Sequence, residues 1–200
     1  ASETPPSLSP LQAEVAATIS QAVINRDSQA IVLHGVTGSG KTEVYFEAIA
    51  TALKLNRQAL ILLPEIALTE PFIARFLARF GEKPTLWHSE LTPSTRRANW
   101  RAIATGAAKM VLGARSALFL PFADLAVIVV DEAHEHSFKQ QDFVTYHARD
   151  VAVMRAKFES CALVLATATP ALETRVQVDN GRYRQLDLPD RFGGAALPQI

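Results

Sequence analysis

The chain has 200 residues, 48% of them apolar and 20% charged, and its 20 basic side chains balance 20 acidic ones. That is enough material for one domain with its own core, and no apolar run approaches the eighteen or so residues a membrane span needs. A formal net charge of zero excludes bulk electrostatic attraction to nucleic acid, so any DNA contact must be local.

Residues 1–7 carry two prolines and little apolar content, and are expected to be a disordered tail or an artificial chain boundary. Ser9 followed by Pro10 predicts a capped helix start, with Val15, Ile19, Ala22 and Val23 at helical spacing. Short apolar runs then predict strands at Ala30–Leu33, Ala59–Leu63, Thr85–Trp87, Met110–Leu112, Leu125–Val130 and Ala162–Leu165. Between them, helical periodicity covers Thr42–Leu55, Phe72–Phe80, a segment capped by Thr92-Pro93 and stopped at Gly106, His147–Phe158, and Pro170–Val178. Alternating helices and near-continuous apolar strands predict an α/β domain, a mostly parallel sheet covered on both faces. Residues 191–200 read as a linker toward a further domain. Cys161, the single cysteine, lies in an apolar stretch; it reads as a buried strand residue of a protein from a reducing compartment. The start of the chain shows no secretory leader pattern, and a cytoplasmic location is the default.

Gly35-Val36-Thr37-Gly38-Ser39-Gly40-Lys41-Thr42 matches the full phosphate-loop pattern between a predicted strand and a predicted helix. Glycines let the backbone curl its N–H groups toward phosphate oxygens, and the following helix adds positive potential from its N-terminus. Lys41 is expected to reach the β- and γ-phosphates, and the Thr42 hydroxyl to ligate Mg2+. The strand Leu125–Val130 ends in Asp131-Glu132-Ala133-His134, placing two carboxylates at the carboxyl edge of the sheet, where ligands of such sheets bind. Asp131 is the expected magnesium ligand and Glu132 the base that orients or deprotonates the attacking water. Two histidines, His134 and His136, are two residues apart, whereas the zinc pattern needs them four apart on a helix, so no zinc ligand is assigned.

These residues resemble the DEAH-type members of helicase superfamily 2. Thr167-Ala168-Thr169 stands where that family's motif III couples hydrolysis to DNA contact, so Thr167, Thr169 and His134 are coupling candidates by resemblance. Longer strings, among them Gly35–Tyr45, Leu63–Thr69, Gly113–Phe119, Tyr146–Asp150 and Ala168–Thr174, look like the PriA family of primosomal replication-restart helicases. The resemblance implies a RecA-like three-layer helicase ATP-binding domain over residues 8–190, the first motor lobe of a 3′ to 5′ DNA helicase. It implies ATP and magnesium as cofactors, and single-stranded and forked DNA, a second motor lobe, primosome proteins and single-stranded DNA-binding protein as partners. It also implies a bacterial, nucleoid-associated setting, zinc only in parts of the full-length protein beyond this chain, and weak activity of the lobe alone.

By resemblance Thr69, Arg115 and Ser116 contact the DNA backbone, while Arg96, Arg97, Arg101 and Lys109 divide evenly between phosphate contact and a solvated helix face. Phe138, Lys139, Phe143 and Tyr146 fall in a segment similar to an aromatic-rich DNA-sensing loop, with core packing as the alternative. Gln12 stands where a Q motif would read adenine, but Ser9 and Gln12 also fit a capping box. Two other functions remain open on sequence alone: the ATPase lobe of another superfamily-2 translocase, in restriction or repair, and a nucleotide-gated DNA-binding scaffold that never unwinds.

Overall fold

The computed structural model describes residues 7–64, 67–135, 138–140 and 146–189, with the backbone alone for Lys139, Gln140 and Tyr146. The chain runs α1 (Pro10–Asn25), β1 (Ala30–Gly35), α2 (Lys41–Lys54), β2 (Gln58–Leu62), α3 (Glu70–Phe80), β3 (Thr85–Trp87), α4 (Pro93–Ala104) and β4 (Met110–Gly113). A 3-10 turn (Arg115–Phe119) follows, then β5 (Leu125–Val130), the short strands β6 (Lys139–Gln140) and β7 (Tyr146–His147), α5 (Ala148–Glu159), β8 (Ala162–Thr167), α6 (Leu172–Asp179) and β9 (Arg184–Leu188).

Among the described residues, seven strands form one sheet in the order β3-β4-β2-β5-β8-β1-β9, and every pairing in it is parallel. Successive side chains point to opposite faces, and each face fills a separate core. Ile31, Leu33, Ile61, Val127, Val129 and Val164 pack under α1, α2 and α3. Ala30, Val32, Leu60, Leu62, Ile128 and Leu165 pack under α4 and α5. This is the three-layer α/β/α arrangement that the apolar runs and the family resemblance predict. On the first face large rings fill the space, with Phe46 edge-on to Phe76 at 4.9 Å between centroids. On the second, α5 presents Ala148, Ala152 and Ala156, all fully buried, which let the helix lie close to the sheet.

Helix starts follow their local chemistry. The Ser9 side chain accepts from the Gln12 N–H, and Gln12 returns the bond to the Ser9 N–H, a complete capping box ahead of Pro10. Thr92 caps α4 by accepting from the Thr95 N–H. α6 begins two residues later than its periodicity suggests, because Ala171 is extended (ψ 154°) and forms the cap. β9 has no counterpart in the sequence expectations: among the described residues it pairs with β1 alone, at the sheet edge, and edge strands carry polar residues such as Arg184 and Asp187 that mask an apolar signal.

Candidate active site

The turn after β1 and the first turn of α2 bring residues 35–42 over the carboxyl edge of the sheet. Gly38 and Gly40 both adopt left-handed backbone (φ 83° and 85°), which a side chain would strain. At Gly40 a Cβ would also meet Gln12 Nε2 at 2.4 Å. Gln12 is buried and donates to the Ser39 carbonyl at 2.8 Å, while its Oε1 accepts from the Ser9 N–H at 2.8 Å. Both ends of its amide are therefore engaged within the protein, one in the capping box and one bracing the phosphate loop. α2 has Gly40 as N-cap with no side-chain cap hydrogen bond, so its first-turn N–H groups face the loop without an internal side-chain acceptor. An anion fits such a terminus.

Lys41 is 8% exposed and donates through Nζ to the Gly35 carbonyl at 2.7 Å and the Val36 carbonyl at 3.2 Å. Burial lowers its pKa, opposed by the negative charges of Glu132 and Asp131. The two carboxylates follow β5 as the sequence requires. Burial raises the pKa of Asp131, and the hydrogen bond from Tyr45 works in the opposite direction. Tyr45, fully buried on α2, donates to Asp131 Oδ2 at 2.8 Å, and the Glu132 N–H donates to Asp131 Oδ1 at 2.9 Å. Both carboxylate oxygens are thus fixed before any ligand arrives. Glu132 itself takes a left-handed backbone (φ 48°), an uncommon conformation for a residue with a side chain, and it turns the chain sharply at the end of the strand.

Glu132 is linked to the next strand. Its Oε2 lies 3.6 Å from His134 Nδ1, which is 2.9 Å from Thr167 Oγ1, and that hydroxyl accepts from the Thr169 N–H at 3.1 Å. A continuous polar path thereby joins the acidic pair to the segment after β8. Sequence reasoning selected all four residues, but the links among them span 33 positions and required the fold.

One cavity of about 400 Å³ unites these parts, lined by Ser7, Leu8, Thr37, Gly38, Gly40, Lys41, Thr42, Glu43, Arg75, Asp131 and Glu132. Glycine N–H groups, a lysine, a threonine hydroxyl and the Asp131–Glu132 pair, with Glu43 as a third carboxylate beside them, suit a nucleoside triphosphate with magnesium: oxygen donors suit the metal, and N–H and ammonium donors suit the phosphates. Three neighbours went unpredicted. Glu43 and Tyr45 close the string Gly35–Tyr45 without an assigned role and Arg75 belongs to no motif; their placement around Asp131 and the cavity marks them.

The residues expected to contact DNA are distributed less evenly. Thr69 is exposed at the N-cap of α3, and Ser116 is exposed beside half-buried Arg115 in the turn after β4, so these three lie on the carboxyl side of the sheet. The basic stretch is not one patch. Arg96 donates to the His88 carbonyl at 2.9 Å and lies over Trp87 at 5.0 Å, a packing role. Lys109 precedes β4 and donates to the Asn56 carbonyl at 2.9 Å, at the opposite edge of the sheet from Arg115. Arg97 and Arg101 are exposed on α4. The expectation that Phe138 offers a ring face to a base is corrected: the ring is 1% exposed and sits in the core under α5. Lys139 and Tyr146 belong to the paired strands β6 and β7, and Phe143 lies outside the described residues.

Comparison with known proteins agrees with this geometry. Residues 9–178 match the DEAD/DEAH box helicase family. The chain is 43% identical to the Replication restart protein PriA of Rickettsia felis over 178 residues, 89% of this chain and 28% of that protein. It is 41% identical to the protein of the same name from Bacillus subtilis, over 87% of this chain and 22% of that one. The chain therefore spans about a quarter of the length of these relatives. In fold it is similar to the helicase MrfA bound to DNA (TM-score 0.61, 16% identity, 94% of this chain and 30% of that one). It is likewise similar to the Pyrococcus furiosus Hef helicase domain (TM-score 0.59, 20% identity, 88% and 37%). Among the described residues, no helix is long and apolar enough to cross a membrane. A phosphate-loop cradle and an acidic pair on one sheet edge, with a family match over most of the length, place the chain in the DEAD/DEAH box helicase family.

Proposed function

We propose that this chain is the ATP-binding motor lobe of a PriA-type DNA helicase, one that moves 3′ to 5′ on DNA at stalled forks and starts primosome assembly for replication restart. One observation carries the reading: Lys41, Thr42, Asp131 and Glu132 line a single cavity whose floor is the phosphate loop. Lys41 would hold the outer phosphates, Thr42 and Asp131 the magnesium ion, and Glu132 the attacking water. Bound magnesium would supply charge neutralisation at the phosphates. Tyr45 and the Glu132 N–H hold the Asp131 carboxylate in place for that task, and the Glu132–His134–Thr167 path would relay the state of the site toward DNA-facing residues such as Thr69, Arg115 and Ser116. Single-stranded and forked DNA, a second motor lobe, primosome proteins and single-stranded DNA-binding protein are the corresponding partners, in a cytoplasmic, nucleoid-associated bacterial setting. Zinc belongs to other parts of the full-length protein. The lobe alone should turn ATP over slowly, because the arginine that stabilises transition-state charge in such motors comes from the second lobe.

The test is duplex unwinding and ATP hydrolysis by the intact protein carrying Glu132→Gln. Loss of both, with nucleotide binding retained, is the expected result. Unwinding at the unsubstituted rate would remove the assignment.

A further inference from the structure

Among the described residues, Arg75 is the one guanidinium lining the nucleotide cavity, and no motif assigns it a task. It projects from α3 and donates through Nη2 to Glu43 Oε1 at 2.8 Å; Glu43 is the residue after Thr42, in the first turn of α2. The guanidinium carbon lies 5.8 Å from the Phe46 ring centroid and 5.9 Å from that of Phe72. One turn further along both helices, Arg79 pairs with Glu47. The two rungs differ in setting. The Arg79 side chain is 15% exposed and remote from the cavity, whereas the Arg75 side chain is 47% exposed at its mouth.

Charge balance separates a ligand role from simple helix pairing. Among the described residues, the basic side chains lining the cavity are Lys41 and Arg75 and the acidic ones Glu43, Asp131 and Glu132. On the nucleotide-site reading Asp131 would hold magnesium and Glu132 the attacking water, which leaves Glu43 as a carboxylate beside a site for a polyanion, with Arg75 as its paired cation among the described residues. A half-exposed ion pair is weak, while a guanidinium on phosphate oxygens makes short, charge-assisted, paired hydrogen bonds. The ring faces of Phe46 and Phe72 hold Arg75 at the mouth, so little side-chain freedom is lost when it changes partner. We propose that Arg75 is a ligand of the bound nucleotide, moving its guanidinium from Glu43 to the oxygens of the phosphate chain. The inference rests on the nucleotide-site reading above and concerns binding, not the chemical step. It gives α3, whose N-cap is Thr69, a direct connection to occupancy of the phosphate loop.

The experiment measures magnesium-dependent binding of a methylanthraniloyl-ATP probe to the intact protein, and its displacement by ATP and by inorganic tripolyphosphate. Arg75→Ala should weaken ATP and tripolyphosphate by a similar factor, roughly tenfold for the loss of one charge-assisted contact. Steady-state turnover should show a raised KM with kcat little changed. Glu43→Gln should bind at least as well as the unsubstituted protein, Arg75→Ala with Glu43→Gln should stay weak, and Arg79→Ala, which loosens the same helix pair away from the cavity, should bind normally. Recovery of affinity in the double variant would overturn the proposal, since Arg75 would then only mask Glu43. Equal losses from Arg75→Ala and Arg79→Ala would assign a helix-docking role instead, and a loss for ATP without one for tripolyphosphate would move the contact to the base or ribose; either overturns it. If the unsubstituted protein fails to bind the probe, or Lys41→Ala binds it equally well, the nucleotide-site reading itself falls.

Discussion

The two edges of the sheet use buried polar residues in opposite ways. At the amino edge, Gln58 is 1% exposed with every polar atom of its side chain satisfied: Nε2 donates to the Ile103 and Ala108 carbonyls at 3.0 and 2.8 Å, and Oε1 accepts from the Ala123 and Asp124 N–H groups at 2.7 and 3.1 Å. Beside it, buried Arg57 donates to Asp124 Oδ1 at 2.9 Å and to the Leu125 carbonyl at 2.7 Å. These groups join the starts of β2 and β5 to the end of α4, and neither Gln58 nor Arg57 lines the nucleotide cavity. At the carboxyl edge the buried polar groups Lys41 and Asp131 line an open space together with a left-handed Glu132, and buried Thr167 reaches it through His134. Saturated polar networks fix a fold, whereas polar groups held in place around a cavity are available for a ligand. Substitutions at one edge should therefore alter stability, and at the other, binding.

The largest separation is expected for Lys41→Ala. It removes the one ammonium of the phosphate cradle, and nucleotide affinity should fall by two orders of magnitude or more, about 3 kcal/mol. Folding stability should stay within about 0.5 kcal/mol, because its only described partners are two loop carbonyls. Probe titration alongside chemical denaturation checks both halves, and a large stability loss would break the division between edges.

Gln58→Leu should invert that pattern. The Ile103 carbonyl still accepts from the Gly106 N–H, but the Ala108 carbonyl and the Ala123 and Asp124 N–H groups lose their side-chain partner, each costing about 1 kcal/mol where water cannot reach it, for a total of about 3 kcal/mol. For a domain of this size the melting temperature should drop by roughly 6–12 °C. The folded fraction should bind nucleotide normally; a change in affinity as large as that of Lys41→Ala would show that the edges are not independent.

How far the sequence anticipates each edge follows from the same physics. The phosphate loop and the acidic pair are legible because their geometry is local: a glycine-rich turn between a strand and a helix, and two carboxylates at a strand end. The strand and helix assignments hold to within one or two residues where the apolar pattern is continuous, as in Leu125–Val130. Partnerships across the fold leave no such trace. Tyr45 and Asp131 are 86 positions apart, and neither Gln58 nor Arg75 has any pattern around it that names its partner. Phe138 follows its alternative reading for a related reason: the polar residues after it suggest an exposed loop, yet its ring is buried in the core that also holds Ala148, Ala152 and Ala156 of α5, which only tertiary packing decides.

Tyr45→Phe sharpens the comparison at intermediate size, because Tyr45 is buried like Gln58 but serves the carboxyl edge. Removing its hydroxyl frees Asp131 Oδ2. Groups that orient a metal ligand typically contribute at least tenfold to metal affinity, so the magnesium concentration needed for half-maximal probe binding should rise about tenfold. The stability change should not exceed about 1 kcal/mol, the net worth of one hydrogen bond. An unchanged magnesium requirement would reduce Tyr45 to a core residue with a satisfied hydroxyl.

The smallest effect belongs to Cys161, at the amino end of β8. It is fully buried, and burial pushes its thiol from the ordinary 9.0 up to about 12. Below pH 9 the thiol is neutral in folded and unfolded chains alike, and no pH-dependent term arises. Between the two values the unfolded chain releases the proton and the folded one keeps it, so stability falls with rising pH at up to about 1.4 kcal/mol per unit. Cys161→Ala should remove that part of the alkaline slope measured by denaturation between pH 8 and 10, at a cost of about 1 kcal/mol at neutral pH for the lost sulfur packing. The native protein should also resist thiol reagents at pH 8, since the thiolate is scarce and out of reach. Rapid labelling under native conditions would mean that the amino edge opens locally at the start of β8, beside strands that the bonds of Gln58 and Arg57 hold.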